Sequence, residues 1–121
     1  PDSRHDAFVD FAGSVGIWLL RGHGPLAIVE KASGTTLGFV QIGFEPGDEE
    51  PELGWFVVPG AEGQGFVHEA ASALRDYAFG ALGMARLVSY IDPQNVRSRR
   101  LAQRLGAVME GLVDGSEAWV H

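Results

Sequence analysis

The sequence predicts an α+β fold: three layers, α/β/α, around a mixed, mostly antiparallel central sheet with one parallel strand-helix-strand crossover. Three observations predict it. Apolar residues recur at helical spacing in two stretches, a capping Asn95 opens a third helix, and strand-like stretches lie between them in the order helix, three strands, helix, strand, helix, two strands. The segment 53–91 reads strand, helix, strand, which makes a right-handed parallel crossover. Finally, 121 residues with 45% apolar and 21% charged suffice for one ordinary core, and no repeat, linker or low-complexity stretch divides them, so 1–121 is read as one domain.

Each element has its own signal. Ser3 and Asp6 precede Phe8, Phe11, Ala12, Val15 and Trp18, a spacing of three and four that predicts an amphipathic helix ending near Arg21-Gly22 and covering one face of the sheet. Residues 26–29 and 36–44 flank a turn-rich 31–35 and read as a hairpin, and the acidic 45–51 reads as a loop. Residues 53–58 are apolar on both alternating faces, as an interior strand covered on both sides requires; Pro59-Gly60 ends it. Phe66, Ala70, Leu74, Tyr77 and Ala78 make a second helical stripe, closed by Gly80 and Gly83. Residues 85–91 give another interior strand, Asn95 a plausible N-cap for a helix running to Leu105-Gly106, and 108–113 with 117–121 a hairpin around Asp114-Gly115.

Composition excludes several functions. Sixteen acidic against nine basic residues give a formal charge of -7, and nucleic-acid binding is driven by Lys and Arg, so no nucleic-acid partner is expected. The excess suits a solvated surface and weakly favours cationic ligands. Cysteine is absent, which removes a disulfide framework, a thiolate zinc site and a Cys nucleophile together. His5, His23 and His121 show no metal-ligand spacing, and no metal is expected. The apolar run 17–20 is far too short for a span or a signal core, so no membrane partner and a cytoplasmic location are expected. The chain opens on Pro1 and stops at His121 inside a strand pattern, which suits a piece of something longer.

The informative stretch is 57–67, strand, glycine-bearing loop and helix start. Unpaired amides and the positive end of the helix dipole come together there, which suits an anion and above all a phosphate. Gly63 and Gly65 allow close approach of the backbone. No Lys follows these glycines, so the nucleotide-hydrolysing P-loop fails; His68 stands where the dinucleotide fingerprint needs its third glycine, so that fails too.

What the stretch resembles is the acetyl-CoA loop of the GNAT (GCN5-related N-acetyltransferase) superfamily, V-x-P-x-x-[RQ]-G-x-G-x-[GA]. Val57, Pro59, Gly63 and Gly65 match in register, whereas Glu62 stands at the Arg/Gln position and Val67 at the small one. With Glu52-Leu-Gly-Trp55, Glu69-Ala70, Tyr77-Ala-Phe79, Asn95, Ser98 and Leu105-Gly-Ala107, residues 25–121 are similar to the branch that includes the ribosomal-protein alanine N-acetyltransferases. The resemblance implies a GNAT-like sheet whose first strand has no counterpart before Ser3. It implies that the backbones of Phe56 and Val57 hold the pantetheine arm of acetyl-CoA, that those of Gly63, Gln64, Gly65, Phe66, Val67 and His68 hold its diphosphate, and that Asn95 touches the arm.

The implied reaction is direct attack of a neutral amine on the thioester, which needs a base for the amine proton and a donor for the departing thiolate. Many relatives carry a Tyr acid where this chain has Ala102; Ser98 is the remaining hydroxyl, and Glu52 is the preferred base, with Glu110 and Glu117 as lesser candidates. The basic run Arg97, Arg99, Arg100 and Arg104 reads first as a solvated helix face and second as a set able to reach a nucleotide phosphate. An N-acetyltransferase acting on a primary amine, such as a protein N-terminus, leads. A catalytically weakened acyl-CoA-binding module and an acetyltransferase for an antibiotic or polyamine remain open, as does a homodimer.

Overall fold

The computed structural model describes residues 3–121. In chain order its elements are α1 (Arg4–Arg21), β1 (Pro25–Val29), β2 (Thr36–Gly43), β3 (Glu52–Val57), α2 (Phe66–Gly80), β4 (Val88–Ile91), α3 (Val96–Arg104), β5 (Val108–Val113) and β6 (Ser116–Val120). The strands form one sheet in the order β1-β2-β3-β4-β6-β5. Only β3 and β4 pair in parallel; every other neighbour is antiparallel. Element order, crossover and sheet type are those the sequence predicts.

Local chemistry sets the boundaries. The Ser3 side chain accepts the Asp6 amide to cap α1, and Gly22, at φ 74, closes it. Asn95 does the same for α3 by accepting the Ser98 amide. Asp114 and Gly115 sit at φ 50 and 82, the left-handed pair that a tight hairpin between β5 and β6 needs. β4 begins at Val88 rather than at residue 85, because pairing starts only where Val88 meets Glu52.

The steps β3 to β4 and β4 to β5 run the same way across the sheet, so α2 and α3 fall on one face. That face holds the core. Leu74 and Ala78 of α2 pack with Val40, Ile42, Leu53, Leu87 and Leu105. A second cluster joins Ala102 to Ile91, Ala107 and Trp119, and Trp55 packs against both. Ile42, Leu53 and Leu87 are fully buried, each contributing about 2 kcal/mol.

The opposite face departs from expectation. No residue of α1 is buried, and Phe8 and Phe11 are each 68% exposed, so the helix does not cover the sheet as its stripe predicts. It is seated at one end, where Trp18 Nε1 donates to the Pro25 carbonyl at 2.9 Å and Arg21 Nε to the Phe44 carbonyl at 3.1 Å. Gln41 and Gly43, alternating with Val40 and Ile42, face a 310 Å³ trough beneath Val9, Gly13 and Ile17. Polar and glycine positions give the apolar stripe little to pack on. For the same reason β3 is covered on one side only: Phe56, on the open side, is 50% exposed.

Candidate active site

Strands β3 and β4 part almost where they meet. Their single ladder pair is Glu52 with Val88, and one step on the Ser89 hydroxyl donates to the Leu53 carbonyl at 2.6 Å in place of a backbone bond. β3 stays paired with β2 along its whole length. Because the Val58 amide donates to the Leu37 carbonyl, antiparallel alternation turns the backbone groups of Gly54 and Phe56 toward β2 and those of Trp55 and Val57 into the gap. A Cβ on Gly38 would overlap the Phe56 carbonyl oxygen, which agrees with that phase and requires glycine there. Val57 thus presents its backbone to the gap. Phe56 does not: its peptide groups serve β2, and its ring stacks on Phe39 with centroids 5.6 Å apart.

Ser89 has a single proton, and it is on Leu53. The 2.7 Å contact to His121 Nε2 is therefore one in which the imidazole donates, which leaves His121 Nδ1 unprotonated and without a partner among the described residues. Burial first, and Arg75 second, lower the His121 pKa to about 4.

The loop after β3 carries the anion chemistry. The Ala61 amide bonds the Val58 carbonyl, and the Gln64 side chain donates to the Gly60 carbonyl at 3.0 Å, bracing the loop from within. Gly63 and Gly65 lie at φ 73 and 84, where a side chain would strain the backbone. Gly65 caps α2 with no side-chain bond, and the first helical bond runs from the Glu69 amide to Gly65. The amides of Phe66, Val67 and His68 consequently have no partner within the helix and point out with the dipole's positive end. They border a 460 Å³ cavity whose far wall carries Arg97, Arg100 and Arg104. Glu62 at its mouth is paired with Arg97 at 2.5 Å, which neutralises the carboxylate beside the anion site.

A second cavity, of 320 Å³, lies across the gap and holds Glu52, Tyr90, Asn95, Phe39 and Gln41. Trp55 and Ser98 border both cavities. Burial first, then the charge of Asp48, raises the Glu52 pKa above the ordinary carboxylate range, against the pull of the Tyr90 backbone N–H. Burial likewise raises the Tyr90 phenol, ahead of the charges of Glu50 and Glu52. Glu110 and Glu117 are occupied elsewhere. Arg86 holds Glu110 at 2.6 Å, and Glu117 Oε1 accepts from Arg99 at 2.8 Å and Trp119 at 3.1 Å. Ala102 is fully buried in the second core cluster.

The candidates from sequence thus divide between two adjoining cavities, Val57, Gly63, Gly65, Phe66, Val67 and His68 in one, Phe56, Glu52 and Asn95 in the other, Ser98 between them, while Gln64 lines neither and braces the loop instead. The spacing 97, 100, 104 puts three arginines on one helix face beside the loop, the lesser of the two readings the sequence allowed, since it favoured a solvated face. The part played by the Trp55 side chain was not legible, because nothing in sequence tells a core indole from one at a site. No cluster of His, Asp or Glu suited to a metal occurs among the described residues. No helix there is long and apolar enough to cross a membrane.

The architecture is a splayed sheet with an anion-binding loop at its mouth. The sequence profile of the acetyltransferase (GNAT) domain matches residues 1–108, and the chain belongs to that family. An acetyltransferase structure from Agrobacterium tumefaciens superposes with a TM-score of 0.91 at 34% identity, over 100% of this chain and 73% of that one. A Vibrio cholerae protein provisionally named a ribosomal-protein-serine acetyltransferase superposes at 0.80 with 26% identity, over 99% and 75%. In sequence, the chain is 30% identical to the uncharacterized N-acetyltransferase YnaD of Bacillus subtilis over 78 residues, 60% of this chain and 46% of YnaD. It spans about half the length of the curated relatives it matches. Domains of this family take acetyl-CoA as co-substrate.

Proposed function

We propose that the protein is an acetyl-CoA-dependent N-acetyltransferase whose acceptor is a primary amine, in the first instance the N-terminal amine of a protein. The observation that carries this reading is the pair of cavities meeting at a gap in the sheet. One offers three free amides and the guanidinium groups of Arg100 and Arg104, with Arg97 held by Glu62, a donor set that fits a diphosphate; the other offers a carboxyl poised to take a proton. The backbones of Val57 and Trp55 would take the pantetheine arm as an added strand, and the amides of 66–68 the diphosphate. Family membership supports acyl transfer, and the provisional name of the Vibrio cholerae relative supports a protein acceptor.

The residues divide the work. Glu52, its pKa raised, accepts the amine proton; a carboxylate in the ordinary range would be a weaker base near neutrality. Ser98 donates to the departing sulfur. Asn95 spends its side-chain oxygen on the α3 cap at 3.2 Å, which leaves its NH2 group to hold the arm. Glu62, paired with Arg97, presents little net repulsion to the cofactor. Asp48 and Glu49, in the loop preceding β3, favour an acceptor that arrives positively charged, while Glu50 is held by Arg86 at 2.7 Å.

Transfer of radiolabelled acetyl groups to a panel of peptides beginning Ala or Ser, spermidine and an aminoglycoside tests this directly. Transfer to a peptide supports the reading as stated. Transfer to the small amines alone moves the acceptor to that class, and acetyl-CoA binding without transfer to any of them replaces the enzyme with a binding module.

A further inference from the structure

We infer that Trp55 is a positioning residue for catalysis: its indole N–H fixes the Ser98 hydroxyl as a hydrogen-bond donor at the junction of the two cavities. The inference rests on the acetyltransferase reading and deepens it.

Donor and acceptor capacity sets the direction of the contact between the two side chains. Trp55 Nε1 lies 3.1 Å from Ser98 Oγ. An indole N–H can only donate, so the serine oxygen must accept. The hydroxyl's one proton is then turned away from Trp55 and has no acceptor among the described residues. Serine hydroxyls ordinarily rotate and satisfy themselves on a nearby helix carbonyl; this one is held out of that arrangement. Its place matters, because Trp55 and Ser98 border both the amide-and-arginine cavity and the cavity of Glu52. A thioester extending from the first cavity toward an amine in the second passes this pair.

In the transfer step, the amine nitrogen forms a bond to the carbonyl carbon and the carbon–sulfur bond breaks. The nitrogen loses one proton, to Glu52 or water, and the sulfur gains one from solvent, so the step balances. Charge develops on sulfur as that bond breaks, and a hydroxyl already turned outward meets it without reorganising. The indole has a second tie that keeps it still: its ring meets His121 edge-on with centroids 6.3 Å apart, and it packs against both core clusters.

The test is Trp55→Phe, which keeps a packed aromatic ring and removes the N–H, with acetyl-CoA and whichever panel amine the wild type acetylates. We expect kcat to fall about 10-fold or more, with KM for acetyl-CoA unchanged within about 2-fold. In a Ser98→Ala background, Trp55→Phe should lower kcat no further, because the two act as one unit. Unchanged kcat in Trp55→Phe overturns the inference, and so do two losses that multiply independently or a loss confined to KM. Should Trp55→Phe fail to fold, a benzothienylalanine at position 55 keeps the bicyclic shape without the N–H and must show the same kcat loss. The two levels of failure are distinct: a wild type inert toward every amine removes the acetyltransferase reading, whereas a working wild type with an indifferent Trp55→Phe removes this inference alone.

Discussion

At the scale of single residues, the chemistry turns on which polar groups are left with nothing else to do. Glu52 qualifies because its neighbours leave it half-buried and raise its pKa; Glu110 and Glu117 do not, since arginines already hold them. Glu52→Gln should lower kcat by about 100-fold while acetyl-CoA affinity holds. In the wild type the rate should fall as pH drops through the raised pKa, because protonated Glu52 is no longer a base; steady-state pH profiles of wild type and variant check both, and an unchanged profile excludes Glu52. Ser98→Ala should likewise depress kcat, by about 10-fold, with little change in cofactor affinity by calorimetry. Ser98, Glu52 and Asn95 were legible as positions in a motif. Their roles as partners were not, because hydrogen-bond direction depends on Trp55 and Tyr90, which arrive from other strands or turns.

At the scale of elements, helix and strand periodicity carried the fold well, and capping carried it best: Ser3, Gly22, Asn95 and the Asp114-Gly115 turn sit where their chemistry assigns them. The misreading of α1 has a physical cause. An apolar stripe shows what a helix offers, whereas burial depends on what the facing sheet returns, and here that is Gln41 and Gly43. The gap between β3 and β4 was legible only through the family resemblance, since by periodicity alone both strands read as ordinary interior strands. Two substitutions act at this scale. Gly65→Asp places a charged side chain at a left-handed position facing the amide cavity, and should abolish acetyl-CoA binding in calorimetry while the fold persists by circular dichroism. Asn95→Ala removes the α3 cap and should cost about 1 kcal/mol in chemical denaturation, besides whatever contact the NH2 group makes to the cofactor.

At the scale of the whole molecule, one face of the sheet carries the core and the other carries exposed rings, Phe39 and Phe56 among them. Stability should follow the core face and its buried polar tie, Ser89 with His121. Folded, His121 titrates at about 4 against 6.5 for an unperturbed imidazole. The unfolded chain therefore binds a proton before the folded one does, and this contribution, full above the unfolded pKa, is lost as pH falls through the window between the two values. Urea midpoints at about pH 7 and about pH 5 should show that loss, and His121→Leu should flatten it. A wild-type curve as flat as the variant's would show that the imidazole is solvated. The account as a whole depends on the amides after β3 holding coenzyme A, and a crystal structure with acetyl-CoA bound measures that most directly. It should show the diphosphate on the amides of Phe66, Val67 and His68, with the sulfur beside the Ser98 hydroxyl; a cofactor seated elsewhere, with those amides in water, would contradict it.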